Sequence, residues 1–157
     1  RVSIGTSPGG FGQPLGVLVS EARRRGIATE PTLVDRLADV AIADRLVELL
    51  GQRVTEALLA GTEPGPEGSM GKLAGTRLSK RSAALAMEIV GPASIAWEPR
   101  VEPVESAESA ESGGSWATVQ AHTAGLSIAG GTDEIMKNIL AERTLGLPRE
   151  PRTETKN

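Results

Sequence analysis

Cysteine and tyrosine are absent from this chain of 157 residues, and Phe11, Trp97 and Trp116 are its only aromatic residues. Without cysteine there can be no disulfide and no thiolate metal site, a composition that suits a reducing cytoplasm. Aromatics make up 2% of the chain against a hydrophobic share of 39%, so alanine, leucine, valine and isoleucine must fill the core. Small and aliphatic side chains favour close-packed helices over a sheet sandwich. His122 is the single histidine, and with no second nitrogen or thiolate ligand near it no metal site is expected. Positive charge is in deficit too, with 17 Lys and Arg against 20 Asp and Glu and a net charge of −3. Phosphate neutralisation needs a basic face, so nucleic acid is not the expected partner. No apolar run approaches the roughly 20 residues that span a bilayer. No secretory signal opens the chain either, and the expected compartment is the cytoplasm. The first residues, RVSIG, carry no initiator methionine, which leads us to expect the C-terminal piece of a longer protein.

What is present is helical periodicity divided by glycine and proline. Residues 5–14, GTSPGGFGQP, read as a loop, and a short helix over Leu15 to Arg25 ends in three arginines before Gly26. Basic residues suit a helix C-terminus and glycine its cap. Pro31 fits the first turn of a second helix, placed at Thr32 to Ala60. Its apolar positions Leu33, Leu37, Val40, Val47, Leu50, Val54 and Leu58 recur at three, four and seven, one stripe for a core. After the EPGPEG connection at 63–68, Ser69 is the expected cap of a third helix over Met70 to Ile89, which Gly91-Pro92 interrupts. Residues 98–115 repeat ESA in an acidic, proline-containing segment too poor in apolar surface to offset ordering, and are expected to be mobile. A last helical region over Trp116 to Leu145 is broken at Gly130-Gly131, and a polar tail follows from 151 to 157. The fold expected is all-α, an up-and-down four-helix bundle over residues 1–150.

The break reads AGGTDEIMKNILAERTLGLP from residue 129 to 148. Thr132 is a good N-cap, and Asp133 and Glu134 would sit in the first turn at the positive end of the helix dipole. One reading is a capped corner between two helices. The other is a ligand site, where bare glycine backbone lets a bound molecule approach and the amides of the following helix face its polar or anionic part. Spacing alone leaves both open.

GGTDEIMKNILAERTLGLP, with RVSIG at the start and GPEGSMGKL in the middle, resembles the C-terminal helical domain of the acyl-CoA dehydrogenase family. The likeness covers essentially the whole chain apart from 98–115. It implies FAD as cofactor, an acyl-CoA thioester as substrate losing its α and β hydrogens, an electron-transfer acceptor, and a homo- or hetero-tetramer in fatty-acid or lipid metabolism. It implies, too, that Thr132 and Glu134 contact flavin, and that Arg1, Gly130 and Gly131 border the substrate. Many members carry a glutamate base directly before the Gly-Thr pair, where this chain has Gly130, so no catalytic residue is assigned here. A second arrangement in the family places that base immediately before the arginine matched by Arg1. Two further stretches depart from the family pattern. RRRGIATEPTLVDR (23–36) has no Arg-x-x-Phe-Gly, and IVGPAS (89–94) stands for the glycine-rich Leu-Gly-Gly-x-Gly turn. Some bacterial members are hetero-oligomers in which one subunit type has lost part of the site, and this sequence resembles such a subunit.

Two rivals therefore stand beside a dehydrogenase domain: a subunit that completes or scaffolds the site without catalysing, and a stand-alone helical module for protein association. Among the remaining residues, Arg23 to Arg25 read as a solvated helix end or a contact for a nucleotide phosphate, and Glu142-Arg143 as a structural charge pair.

Overall fold

The computed structural model describes residues 13–95 and 113–149, and among these the regular structure is helical throughout. Five α-helices follow one another: α1 Leu15–Arg24, α2 Pro31–Leu59, α3 Glu67–Val90, α4 Gly113–Leu126 and α5 Asp133–Arg143. The arrangement is the expected all-helical bundle. α3 is its axis, touching every other element.

α1 ends as its basic last turn suggests. Glu21 accepts from Arg24 Nη2 at 2.6 Å and Arg25 Nε at 2.6 Å, and Ile27 N donates back to Ala22 O at 3.0 Å across Gly26. Two of the three arginines are thus spent on the helix's own carboxylate, which supports the helix-end reading. The Arg24 and Arg25 guanidiniums hold the Glu21 carboxyl below the usual carboxylate range.

α2 runs for 29 residues from Pro31, whose missing N–H is one a helix start does not need. Leu33, Leu37 and Val40 are buried and Val47 packs against them. Beyond that turn the expected stripe leaves the core: Leu58 is 61% exposed. The register of the stripe was right over its first half, but Leu50 and Val54 are only half-buried and its far end is exposed.

α3 begins at Glu67, ahead of the expected Met70, and Ser69 is not its cap. Pro66 O accepts from Met70 N at 3.0 Å instead. A proline's fixed φ is already compatible with helix entry, so the helix can begin before the better capping side chain. Along α3, Gly75, Thr76, Ser79, Ser82, Ala83 and Ala86 are buried beside Leu78, Leu85 and Ile89. Small residues on this scale let α1, α2 and α4 pack closely around one helix. Gly91 then ends α3, and a 3₁₀ turn over Gly91–Ile95 follows.

α4 opens at Gly113, so residues 113–115 of the expected mobile segment are helical; the rest of that segment, like the tail at 151–157, lies outside the described residues. Trp116, 4% exposed, pins α4 to the aliphatic core formed by Leu18, Leu37, Leu85 and Ile89. α5 is different in kind. None of its residues is buried, and it rests mainly on α3.

Candidate functional site at the Gly130–Gly131 corner

The corner is built from the end of α4. Ile128 N and Ala129 N both donate to Gly125 O, at 3.0 and 2.9 Å, closing the last helical turn. The backbone then passes through two left-handed residues, Gly130 at φ +66 and Gly131 at φ +95. Side chains carrying a Cβ adopt such angles at a cost, which is the local reason for the glycine pair. Around Gly130 an added Cβ would meet nothing within 4 Å, so the corner presents open, bare backbone.

Thr132 takes extended backbone, φ −65 and ψ 158, and its hydroxyl accepts from Ile135 N at 3.2 Å. The capped-corner reading is therefore correct as far as it goes, and caps of this type contribute about 1 kcal/mol. Of the helix-start amides, Asp133 N donates to Ser127 O at 3.0 Å and Met136 N to Thr132 O at 3.0 Å. Neither these bonds nor the Thr132 cap draws on the Glu134 amide. A hydroxyl that accepts also keeps its own hydrogen to donate. The corner thus offers a short run of donors beside glycine backbone, at the positive end of a helix.

Gly130, Gly131, Thr132 and Glu134 lie together in this turn. Gly130 and Glu134 are exposed and the other two half-buried. The Glu134 side chain lies 3.6 Å from Lys137 on its own helix, and at 75% exposure that contact is weak. Arg1 lies outside the described residues. His122 is exposed on α4, and among the described residues no group of three or more metal-binding side chains occurs. Glu142 does not pair with Arg143. It accepts from Arg149 Nε at 2.8 Å, because adjacent helical residues point in different directions while the chain after α5 folds back.

A second set of side chains holds the corner from α3. Lys72 Nζ donates to Asp133 Oδ1 at 2.8 Å, the Ser127 hydroxyl donates to Asp133 Oδ2 at 2.9 Å, and Lys80 Nζ donates to Ser127 Oγ. Thr76 Oγ1 points to Leu126 O at 3.5 Å. Lys72 beside Asp133 holds its carboxyl below the usual carboxylate range; the Ser127 hydroxyl adds to this and partial burial opposes it. Sequence reading missed this set. Its one sequence signal was the spacing of Lys72, Thr76 and Lys80, four residues apart on one face of α3.

A depression of about 260 Å³ lies elsewhere, lined by Ile27, Leu33, Arg36, Leu85, Glu88 and Ile89 among others. Glu88 is sixteen residues along α3 from Lys72, roughly 24 Å of helix, so this hollow does not belong to the corner. Arg36 and Glu88 in it are ion-paired to each other.

Residues 1–145 match the model of the acyl-CoA dehydrogenase C-terminal domain. The chain belongs to the acyl-CoA dehydrogenase family. Two mycobacterial members illustrate the relationship. Acyl-CoA dehydrogenase FadE34 of Mycobacterium tuberculosis is 31% identical over 115 residues, which is 73% of this chain and 14% of that protein. Acyl-CoA dehydrogenase IpdE1 of the same organism is 30% identical over 140 residues, 89% of this chain and 33% of that protein. Among solved structures, the Tcur3481-Tcur3483 steroid ACAD superposes with a TM-score of 0.71 at 21% identity, covering 87% of this chain and 34% of that one. The ChsE4-ChsE5 complex from Mycobacterium tuberculosis gives 0.66 at 22%, covering 87% and 36%. At these identities the structural likeness speaks for the fold. The chain spans between 14% and 36% of the length of these acyl-CoA dehydrogenases.

Proposed function

We propose that this chain is the C-terminal helical domain of an FAD-dependent acyl-CoA dehydrogenase, and that its Gly130–Thr132 corner borders the site where an acyl-CoA thioester loses hydrogen from its α and β carbons. The observation that carries the reading is the corner itself. Open space over Gly130 and a donor set at the start of α5 suit a flat, polar-edged ligand lying against backbone. These residues fit FAD locally. The Thr132 hydroxyl and the Glu134 backbone amide would hold the flavin edge, Gly130 and Gly131 would admit the thioester, and Arg1 would line its pocket. Bound FAD supplies the hydride acceptor.

What this domain does not bring is equally specific. Gly130 has no carboxylate to take the α-proton, so that role falls to a residue before Arg1 or to a partner subunit. Pro92 has no amide to donate in the turn after α3, and the α1–α2 connection offers no Arg-x-x-Phe-Gly contact to a neighbouring flavin. These departures favour a second reading within the same family, a site-completing subunit of a hetero-oligomer. The likeness to structures named as two-component assemblies supports the same reading. Substrate class, electron acceptor and cytoplasmic location belong to the proposal; for the described residues, no helix is long and apolar enough to cross a membrane.

The test is to purify the full-length protein that carries this chain, alone and together with each acyl-CoA dehydrogenase encoded beside it. Flavin absorbance is then followed as acyl-CoA is added without oxygen. The proposal expects bound flavin that bleaches on acyl-CoA addition in at least one of these preparations. A folded, oligomeric protein that carries no flavin in any pairing contradicts it and leaves the association module.

A further inference from the structure

The loop from Ser127 to Asp133 is tied at both ends and to a third element. Ser127 O accepts from Asp133 N at 3.0 Å, and the Ser127 hydroxyl donates to Asp133 Oδ2 at 2.9 Å, so two bonds join the two ends of the loop. From α3, Lys72 Nζ reaches the other Asp133 oxygen at 2.8 Å and Lys80 Nζ reaches Ser127. The donors and acceptors match in sequence: Lys80 to Ser127, Ser127 to Asp133, Lys72 to Asp133. Lys72 and Asp133 side chains are 17% and 18% exposed, both largely covered, unlike Arg36–Glu88 and Arg45–Glu48. They are also 61 residues apart, so they fix tertiary position rather than helix content. Between the ties lie the residues with the greatest backbone freedom, Gly130 and Gly131. α5 has no buried side chain of its own to hold it in place.

We propose that Asp133 is a positioning residue, which through Lys72 and Ser127 fixes the Gly130–Gly131 backbone and the start of α5 against α3. The inference rests on the functional reading above, in which that backbone borders flavin and thioester. The chemistry asks for this carboxylate. Asp133 receives two donors, a cation and a hydroxyl, on two oxygens. An asparagine has one acceptor oxygen and would turn an NH2 group toward one of those donors. A glutamate carries its oxygens one methylene further from the α5 backbone. Freed from α3, the glycine pair has many conformations available, and a displacement of about 1 Å at a reacting centre costs up to roughly 10²-fold in rate.

The experiment uses the full-length, flavin-loaded assembly with Asp133→Asn, Lys72→Met and Lys72→Arg. Amide hydrogen exchange is read by mass spectrometry over 127–136, together with kcat and KM for acyl-CoA. Asp133→Asn and Lys72→Met are each expected to speed exchange by roughly tenfold or more within 127–136 while α3 stays protected. Both should lower kcat by about tenfold to a hundredfold with a smaller change in KM, and Lys72→Arg should restore most of the rate. Lys72→Met approaches the same link from α3, so a poorly folding Asp133 variant does not remove the test. Unchanged exchange over 127–136 in a folded variant overturns the proposal. So does faster exchange with unaltered kcat, which would make the link structural only. A wild-type assembly that never reduces flavin sinks the functional reading instead, and the exchange result still decides whether Asp133 holds the loop.

Discussion

At Gly131 the backbone sits at φ +95, and an added Cβ would come within 2.7 Å of Met136 Cε. The methionine end can swing away, so the backbone angle and not the clash sets the cost. Gly131→Ala is expected to lower stability by about 1–2 kcal/mol, read by urea unfolding with unchanged m-value. Asp133 gives a pH-dependent counterpart. Its folded pKa is depressed by Lys72 first and Ser127 second, with Lys80 also acting on it, so its contribution is present above the unfolded value near 3.9 and is lost as pH falls through the lower folded value. Asp133→Asn should therefore be less stable than wild type by about 1–2 kcal/mol at neutral pH. The gap should begin to narrow as pH falls below about 4 and close only below the lower folded value. A gap that persists there would mean that the carboxylate's charge is not what Lys72 holds. The glycine pair and the Thr132 cap were legible in the sequence because both are local. The Lys72–Asp133 link was not, since nothing in a linear chain brings residues 61 apart together before α3 and α5 have packed.

Helix placement followed from periodicity and breakers, and erred where those signals compete. Pro66 and Ser69 both start helices well, and the proline comes first, within the EPGPEG connection itself, so α3 begins at Glu67. In α2 the apolar stripe is real, but a stripe records that a face seeks cover and not which element supplies it. Leu33, Leu37 and Val40 find α3; Leu58 does not. Element stability should follow burial. Leu85, 2% exposed on α3, is expected to cost about 3 kcal/mol as Leu85→Ala, measured by chemical denaturation. α5, with no buried residue, should show the weakest amide protection of the five helices and α3 the strongest. Strong protection along Ile135 to Leu140 in the isolated chain would show that α5 is held by more than its contact with α3.

At the scale of the molecule, the family was written in one corner and one bundle, while no carboxylate stands before the Gly131-Thr132 pair. Apolar side chains remain uncovered on α2, where Ile42, Leu46 and Leu49 are 60%, 55% and 39% exposed, and beside the corner, where Ile128 is 71% exposed. The central claim is that Gly130 faces the carbons that react. Space over Gly130 is open, and a side chain there would cost about 1 kcal/mol for its positive φ, so Gly130→Glu should fold. A new carboxylate beside an existing base repels it and raises the pKa of one of the two. The most direct measurement is acyl-CoA-dependent flavin reduction across pH, in the full flavin-loaded assembly, for wild type and Gly130→Glu. The expected result is a displaced pH profile with altered chain-length preference, or activity appearing where wild type has none. Superimposable profiles, with the variant folded and its flavin bound, would contradict the placement of Gly130 at the reacting centre.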